Sequence, residues 1–355
     1  MEVIRIRIGQ VQEGMTIAND IFNLNKLLIV AKGQTLNRSM INKLKEYNIY
    51  ELYVFKTQQT FDLKKDSYLD FLRDTEDFRI FNNTYIETLD TLKPAFLHIV
   101  EQEKIDPVAM VDAVNSILDS SKSGAHMMEM LHGIRDYDDI TYAHSMNVAI
   151  ICNIFATWIG LKEEDRHVLI LCGLLHDIGK MLVPSEITLK NGKLTEEEYD
   201  VMKTHTTRGF HILKDQELDD RIKLSALLHH ERRDGTGYPN GYLEHNIPDF
   251  CKIVAIADVY DAMTSDRIYR KAICPFDVVK EFERDGFAKY DTSYLMIFLE
   301  RIVYSYLNNI VLLSDGRQAE VILINKLSLD KPVVRINDEF IDLSKRKDLN
   351  IISIV

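Results

Sequence analysis

The sequence predicts a mainly α-helical protein with a small β-rich appendage at each end. Residues 140–307 hold successive stretches with apolar residues at helical spacing, bounded by recognisable cap residues, so this part is expected to be all-helical. The two ends instead show short apolar runs that alternate with polar residues or stop at glycine turns, which is typical of strands. With 355 residues, of which 46% are hydrophobic, the chain is expected to form two or three domains with sizeable cores.

The chain is acidic, with a formal net charge of −12. This charge argues against DNA or RNA as a partner, because polymer binding needs a basic surface. It leaves a small anionic nucleotide open, since bound metal ions can reverse the local field. The N-terminus lacks a basic segment followed by an apolar core, and no stretch reaches about 18 uninterrupted apolar residues. We therefore expect a cytoplasmic protein without membrane insertion. The four cysteines show no CxxC spacing and are expected to be reduced thiols: Cys152, Cys172, Cys251 and Cys274.

Residues 1–58 are predicted to form a small β-rich N-terminal domain. Residues 3–8 alternate apolar and polar side chains, and residues 27–30 form a short apolar run before a glycine. Residues 37–47 place apolar side chains on one helical face, and residues 51–54 return as a strand. Two interpretations stay open for this domain: a sensory or dimerising module, or a structural cap.

Residues 59–135 are predicted to be a helical connecting region. Asp106 and Pro107 give a good helix start, with aspartate at the cap and proline in the first turn. Pro94 is expected to break or start a helix, because proline lacks the backbone donor that a helix interior needs. The region is expected to pack on the helices that follow it or to form a contact in a homodimer. Three of its histidines are assigned to packing or surface positions: His98, His126 and His132.

The central part carries the clearest helix signals. Thr195 and Glu198 form a capping box for a helix that is expected to carry His205. Acidic residues occupy the first turn of the helix predicted from Glu163, as the helix dipole favours. The helices are predicted at residues 140–158, 163–180, 195 onward, 218–231, 253–264, 276–287 and 292–307.

Residues 308–355 are predicted to form a β-rich C-terminal appendage. Residues 309–313 and 319–324 flank Asp315 and Gly316, which is a hairpin signal. Further strands are predicted at residues 332–336 and 351–355. This appendage shows no catalytic constellation.

Histidine and aspartate concentrate between residues 171 and 241. His176 and Asp177 are adjacent, His205 follows, and His229 and His230 form a second adjacent pair. Imidazole and carboxylate ligands suit first-row divalent metals such as iron, manganese or zinc. A carboxylate has two oxygens and can bridge two ions. Lys180 lies four residues after His176, so on a continuing helix its ammonium shares that face and could meet a bound anion.

These residues resemble the HD-GYP proteins, a branch of the HD superfamily of metal-dependent phosphohydrolases that cleave cyclic di-GMP. His176-Asp177 and Gly237-Tyr238-Pro239 match the two signatures that name the branch. The resemblance runs from about Ile140 to Leu307, roughly half the chain, and further motifs occur in family order: His144-Ser145, residues 194–198, His205, residues 229–239 and residues 258–262. It implies an all-helical HD-type catalytic domain over residues 136–307.

The resemblance also implies roles for individual residues. His144, His176, Asp177 and Asp258 correspond to ligands of a first metal, and Asp177 to the carboxylate that bridges the two ions. His205, His229 and His230 correspond to the additional ligands of a second metal. A pair of divalent ions, with iron or manganese favoured, can hold a bridging hydroxide that attacks phosphorus in line. Asp177 and Lys180 are the expected catalytic residues, and the alternative for Lys180 is a helix C-terminal cation. Three other histidines match nothing in the family: His167, His211 and His245.

Substrate contacts are expected from two segments. Gly237 lets the backbone approach a ligand closely, and Tyr238 can stack on a purine or donate to phosphate. Arg267 and Arg270 match the family's phosphate and guanine contacts, with a surface charge as the alternative for Arg270. Some members hold a third metal through a glutamate at the position of Ile140. Because isoleucine cannot ligate, a two-metal centre is favoured over a three-metal centre. In the family the number of metals has been associated with the product, so linear pGpG is favoured over GMP as the main product.

The sequence therefore predicts a cyclic di-GMP phosphodiesterase, and two alternatives stay open. One is a degenerate protein that senses cyclic di-GMP without cutting it, although no ligand of the two-metal set is missing. The other is a phosphodiesterase that acts on another cyclic dinucleotide. A homodimer is left open.

Overall fold

The computed structural model describes residues 3–8, 11, 13–22, 28–47, 49, 51–55, 72–121, 123–134, 140–190, 192–265 and 274–354. The chain divides into two compact units, residues 1–75 and residues 76–355. The predicted fold class is confirmed: the protein is mainly helical, with small β-sheets near both ends. Among the described helices, none combines the length and apolar character needed to span a membrane. The sequence-based domain boundaries at residues 58, 135 and 307 stay predictions.

Among its described residues, the first unit contains two small antiparallel sheets and the helix α1 (Arg38–Glu46). Strand β1 (Val3–Arg7) pairs with β4 (Glu51–Phe55), and β2 (Ile21–Phe22) pairs with β3 (Leu28–Val30). Helix α1 starts where the Asn37 side chain accepts a hydrogen bond from the backbone nitrogen of Met40 at 2.9 Å. The predicted strands and helix are present. Strand β2 was not predicted, because two residues are too few to show a period.

The second unit begins with α2 (Glu76–Val100), and here the prediction for Pro94 is wrong. The 25-residue helix runs through Pro94 without ending. Pro94 is exposed, so the carbonyl that loses its helical donor can be hydrated. Buried residues on both sides of the proline, including Leu89 and Phe96, keep the helix packed along one face.

Two shorter helices follow α2. Helix α3 (Pro107–Leu118) begins as predicted: the Asp106 carboxylate accepts hydrogen bonds from the backbone nitrogens of Val108 and Ala109 at 3.1 and 3.0 Å. Ser123 caps α4 (Gly124–Gly133), whose buried residues include Met127, Met128 and Met130.

The next helices form the predicted all-helical region. They are α5 (Ile140–Trp158), α6 (Glu163–Leu175), α7 (Ser185–Thr188), α8 (Glu196–Lys203), α9 (His205–Leu213), α10 (Asp220–Leu228), α11 (Asp249–Thr264), α12 (Pro275–Glu281), α13 (Phe287–Lys289) and α14 (Thr292–Ser305). Short 3₁₀ turns at Ile178–Leu182 and Glu244–Asn246 and a π-turn at Phe282–Gly286 lie between them. Helix α5 packs closely against α6 and α11, which places three candidate ligand segments side by side.

A five-stranded antiparallel sheet closes the chain. Its strands are β5 (Ile310–Leu313), β6 (Gln318–Leu323), β7 (Val333–Ile336), β8 (Glu339–Asp342) and β9 (Ile351–Ile354), in the spatial order β8-β7-β6-β5-β9. The predicted hairpin is β5–β6. Strand β8 was missed, although Asn337 has a φ of 51° in the two-residue turn before it, where asparagine is a common turn residue.

Candidate metal centre

The candidate ligands sit at helix ends and in two helix interiors. Helix α6 ends at Leu175, and His176 and Asp177 follow in the turn that leads into the 3₁₀ segment. Helix α10 ends at Leu228, and the next two residues are His229 and His230. His205 opens α9 after a break at Thr204, so the predicted single helix from Thr195 through His205 is in fact two helices. The predicted helix from 163 to 180 also stops early. Side chains at helix ends can converge on one point from several directions, which a straight helix would not allow.

The structure brings all seven sequence-predicted ligands together. One group contains His144, His176 and Asp258, and the other contains Asp177, His205, His229 and His230. Within each group, one donor atom of every residue lies within 4.8 Å of the donor atoms of the others. The three other unmatched histidines, His167, His211 and His245, belong to neither group.

Asp177 lies between the two groups and offers one oxygen to each. Its Oδ2 is 3.3 Å from Nε2 of His176 and 3.6 Å from Nε2 of His144. Its Oδ1 is 3.3 Å from Nε2 of His205 and 3.6 Å from Nε2 of His229. This is the arrangement expected of a carboxylate shared by two cations.

Hydrogen bonds at Nδ1 turn the histidine rings toward the centre. Backbone carbonyls accept from three of them: Gly173 from His176 at 2.7 Å, Met202 from His205 at 2.7 Å, and Ser225 from His229 at 2.9 Å. An Nδ1 that donates leaves its Nε2 as a lone pair, and in all three rings Nε2 faces Asp177. Metal-ligating histidines are commonly oriented in this way.

Several buried polar atoms fit a cation and little else. Nε2 of His176 and Oδ1 of Asp177 are buried without a hydrogen-bond partner in the described part of the chain. The Nε2 atoms of His205 and His229 face each other at 3.3 Å. Buried polar groups without partners cost folding free energy. Two buried His/Asp clusters are therefore consistent with a binuclear metal site.

The charge states also suit metal binding. Burial lowers the pKa of His205 to about 3 and the pKa values of His229 and His230 below their ordinary value, so these rings are neutral. Burial alone would raise the pKa of Asp177, but His176 and Lys180 hold this pKa well below its usual range. Neutral imidazole and ionised carboxylate are the forms that ligate a metal.

Asp258 and His144 form a tight pair in the first group. Oδ1 of Asp258 lies 3.0 Å from Nε2 of His144. Against the effect of burial, this contact holds the pKa of Asp258 well below its usual range, and contacts with Asp258 and Asp261 raise the pKa of His144 to about 9. A cation bound here would take the place of the proton that His144 carries on Nε2.

Lys180 reaches the centre by a different route from the predicted one. The α-helix does not continue to Lys180, and the residue lies in the 3₁₀ turn, where its backbone nitrogen donates to the Asp177 carbonyl at 2.9 Å. Its ammonium forms an ion pair with Oδ2 of Asp177 and is partly exposed. It is thus placed beside the centre with one side open to solvent.

The loop after His230 closes over the centre. Gly237 is in close contact with the backbone of the preceding turn: a Cβ there would lie 2.4 Å from the Arg232 nitrogen. Tyr238, which precedes Pro239 through a cis peptide bond, packs on the His230 ring at a centroid distance of 4.7 Å. The close contact at Gly237 is with the protein's own backbone, and the predicted approach of this glycine to a ligand stays a prediction.

The sequence prediction missed Glu231, which holds this loop. Its carboxylate is buried and accepts hydrogen bonds from the backbone nitrogens of Asn240 and Tyr242 at 2.7 and 2.9 Å. An acidic residue directly after a candidate ligand pair was the available signal, and it was assigned no role.

Tyr199 was missed as well. It is 48% exposed on α8, and its ring meets that of Tyr238 edge to face at 6.4 Å. Lys203 places its ammonium 5.2 Å from the Tyr199 ring centroid. The two tyrosines give the centre an aromatic rim with a cation beside it. Arg267 and Arg270 lie outside the described residues, as does the side chain of Ile140.

Comparisons with known proteins agree with this geometry. The family described as HD domain matches residues 126–293. A cyclic di-GMP phosphodiesterase of Pseudomonas aeruginosa is 32% identical over 236 residues, covering 66% of this chain and 56% of the relative. A cyclic di-GMP phosphodiesterase of Thermotoga maritima is 37% identical over 178 residues, covering 49% of this chain and 48% of the relative.

Two further likenesses complete the comparison. A 3'3'-cGAMP-specific phosphodiesterase of Vibrio cholerae is 40% identical over 143 residues, covering 40% of this chain and 33% of the relative. The chain thus spans 56%, 48% and 33% of the length of these three curated relatives. Among solved structures, an HDG"Y"P protein from Bdellovibrio bacteriovorus shares the fold, with a TM-score of 0.53 and 17% identity over 85% of this chain and 99% of that chain.

Proposed function

We propose that this chain, whose residues 126–293 match the HD domain family, is a metal-dependent phosphodiesterase that hydrolyses cyclic di-GMP. The observation that carries the proposal is the position of Asp177, with one carboxylate oxygen turned to each buried histidine cluster. A shared carboxylate between two ligand sets is what a two-ion centre for phosphodiester cleavage requires.

The seven clustered residues would hold the ions. His144, His176 and Asp258 would hold one, His205, His229 and His230 the other, and Asp177 both. When bound, two divalent ions lower the pKa of a water molecule and neutralise charge on the attacking and leaving oxygens. Mixed nitrogen and oxygen ligands favour iron or manganese in our proposal.

Lys180 and the aromatic rim would act on the substrate. The Lys180 ammonium, partly exposed beside Asp177, would balance negative charge on a non-bridging phosphate oxygen. Tyr238 and Tyr199 would offer ring faces or edges to a purine. Gly237 shapes the loop that carries Tyr238. From the family resemblance we also propose substrate contacts for Arg267 and Arg270, and linear pGpG as main product.

The test is a product assay on the purified protein. Cyclic di-GMP is incubated with protein that has been loaded anaerobically with ferrous iron or with manganese, and pGpG and GMP are separated by chromatography. Formation of pGpG that stops when a chelator removes the metal is the expected result. Intact cyclic di-GMP with a fully loaded protein would contradict the proposal and favour the non-catalytic sensor.

A second substrate belongs in the same assay. A Vibrio cholerae relative at 40% identity is named for 3'3'-cGAMP, and relatives named for cyclic di-GMP share 31% to 44% identity, so identity does not decide between the two substrates. Faster turnover of 3'3'-cGAMP than of cyclic di-GMP at equal concentration would replace the proposed substrate and keep the proposed chemistry. Location in the cytoplasm and the boundaries at residues 58, 135 and 307 remain part of the proposal, and a homodimer stays open.

A further inference from the structure

His144 is oriented differently from the other ligands. His176, His205 and His229 donate from Nδ1 to carbonyl groups three or four residues earlier in their own segments. The Nδ1 of His144 instead lies 2.7 Å from Oδ2 of Asp261, which is 117 residues away on α11. One imidazole of the centre therefore depends on a carboxylate that reaches it from a separate helix.

We propose that Asp261 is a positioning residue that sets the metal affinity of the group formed by His144, His176 and Asp258, and that Asn147 and Tyr85 extend this control to helix α2. The inference rests on the proposed metal centre, which it deepens. It assigns Asp261 no contact with substrate or with an ion.

The carboxylate determines which nitrogen of His144 is available. An ionised aspartate can only accept hydrogen bonds, so His144 must carry its proton on Nδ1. When an ion takes the place of the Nε2 proton, the lone pair is on Nε2, which faces Oδ1 of Asp258 at 3.0 Å and Oδ2 of Asp177 at 3.6 Å. A carboxylate behind the ring also makes the imidazole a stronger ligand.

Asp261 is itself held by donors. Its Oδ1 accepts from Nδ2 of Asn147 and from Oγ of Ser265, both at 2.9 Å. The Tyr85 hydroxyl, on α2, donates to Oδ1 of Asn147 at 2.7 Å. Asp261, Asn147 and Tyr85 are all buried. A chain of hydrogen bonds thus runs from Tyr85, whose hydroxyl also lies 3.1 Å from the Ala143 carbonyl oxygen, to Nδ1 of His144, the ring nitrogen opposite the one that faces the metal site.

The two groups of ligands should therefore respond differently. His205 and His229, which face Oδ1 of Asp177, are oriented by backbone carbonyls. Nδ1 of His230 lies 3.9 Å from Oδ2 of Asp258. Among the described residues, none of these three histidines is hydrogen-bonded to Asp261. Weakening Asp261 should release the ion next to His144 and leave its neighbour bound. A general loss of folding would release both ions together.

The first experiment compares Asp261→Asn with the unchanged protein in a manganese titration, with free ion measured by electron paramagnetic resonance. The side-chain amide of this variant directs an N–H group at either His144 or Asn147, and each of these already directs its own hydrogen-bond donor at the same position. We expect two bound ions in the unchanged protein and a loss of affinity of about 10–100-fold for one ion only in the variant. Asp106→Asn is the matched control, because asparagine caps a helix as well as aspartate does.

A double exchange then separates orientation from folding. In Asn147→Asp combined with Asp261→Asn, the new carboxylate accepts from Tyr85 and from the amide, and the amide oxygen can again accept from His144. This variant should bind the weakened ion more tightly than Asp261→Asn does. Tyr85→Phe, which removes the first donor, should weaken the same ion.

The outcomes keep the two proposals apart. Failure of the unchanged protein to bind two ions would overturn the proposed metal centre. If Asp261→Asn binds two ions with unchanged affinities, only the proposed role of Asp261 is overturned, and the proposed metal centre stands. Loss of both ions together, with a lower melting temperature of the metal-free variant and no recovery in the double exchange, would also overturn the role of Asp261.

Discussion

At the scale of single residues, Asp177 is the ligand that should tolerate substitution least, because each of its two oxygens faces a different group of ligands. In Asp177→Asn one oxygen is replaced by an amide nitrogen, which cannot bind a cation, and the negative charge is lost. We expect metal content to fall below two equivalents and turnover of cyclic di-GMP to be abolished. Elemental analysis and the chromatographic assay measure both. Two full equivalents together with normal activity would refute the assignment of Asp177.

The aromatic rim makes a prediction about recognition. Tyr199→Ala removes an exposed ring from the rim and should weaken the binding of cyclic di-GMP by a stacking contribution of roughly 1–3 kcal/mol. This loss should appear as a higher KM with little change in kcat. Tyr238→Ala should do the same, because Tyr238 lies beside Tyr199 in this rim. Both variants should retain slow hydrolysis of bis(p-nitrophenyl) phosphate, which has no purine.

A control variant keeps this comparison interpretable. Tyr304 is also exposed but lies on α14, at 41% exposure, and Tyr304→Ala should leave both substrates unaffected. Equal losses of Tyr199→Ala on the two substrates, with metals intact, would mean that Tyr199 serves the fold or the chemistry and not the recognition of a base.

Residue identities were predictable where chemistry demands a particular side chain. Five of the seven candidate ligands lie in the stretch between residues 171 and 241 where histidine and aspartate concentrate, and the resemblance to the HD-GYP proteins implied the full set, including His144 and Asp258. The structure brings all seven together. Asp261, Glu231 and Tyr199 were missed because their roles depend on partners distant in sequence or on a turn that no local pattern describes. Aspartate and glutamate near a site are also common on solvated surfaces, so residue type alone did not distinguish them.

At the scale of elements, the sequence predicted that helices exist and misjudged where they end. Helical periodicity continues through Lys180 and across Thr204, yet the structure turns at both places. At the first of these turns a 3₁₀ segment brings Gly179 against α9. A Cβ on Gly179 would lie 1.9 Å from the carbonyl oxygen of His205. Such contacts between backbones are tertiary, so apolar spacing carries no sign of them.

Gly179→Ala tests whether this close contact positions His205. The added methyl meets backbone that cannot turn aside, so we expect α9 to shift and the metal-free protein to lose about 1–3 kcal/mol of unfolding free energy. The ion held by His205 should bind more weakly. Urea unfolding and metal titration measure these effects.

The matched control is Gly124→Ala, where the nearest atom is the end of the Ile154 side chain at 3.0 Å, which can move. Its loss of stability should be smaller and its metal binding unchanged. Equal metal binding in Gly179→Ala and the unchanged protein would show that His205 does not depend on this contact.

At the scale of the whole molecule, the fold class was predictable from composition and period, because helical and strand segments differ in spacing along the entire chain. Strands β2 and β8 were not predicted, the first because it has two residues and the second because its alternation is weak. Pro94 misled the prediction, since an exposed proline can be tolerated in a long helix whose other face is packed.

The identity of the bound metal determines how the activity of the whole protein responds to air. If iron occupies the centre, aerobic purification should lower activity by oxidising it, and ferrous iron under reducing conditions should restore it. Manganese-loaded protein should be indifferent to air. Equal activity of iron-loaded protein after strict anaerobic and fully aerobic handling would count against redox-active iron.

The central claim, that two ions share Asp177, is tested most directly by anomalous diffraction from crystals grown with manganese. We predict two anomalous peaks roughly 3.5–4 Å apart. One should lie beside Oδ2 of Asp177 near His144 and His176, and the other beside Oδ1 near His205 and His229. A single peak, or peaks that leave Asp177 outside the coordination of either ion, would contradict the account.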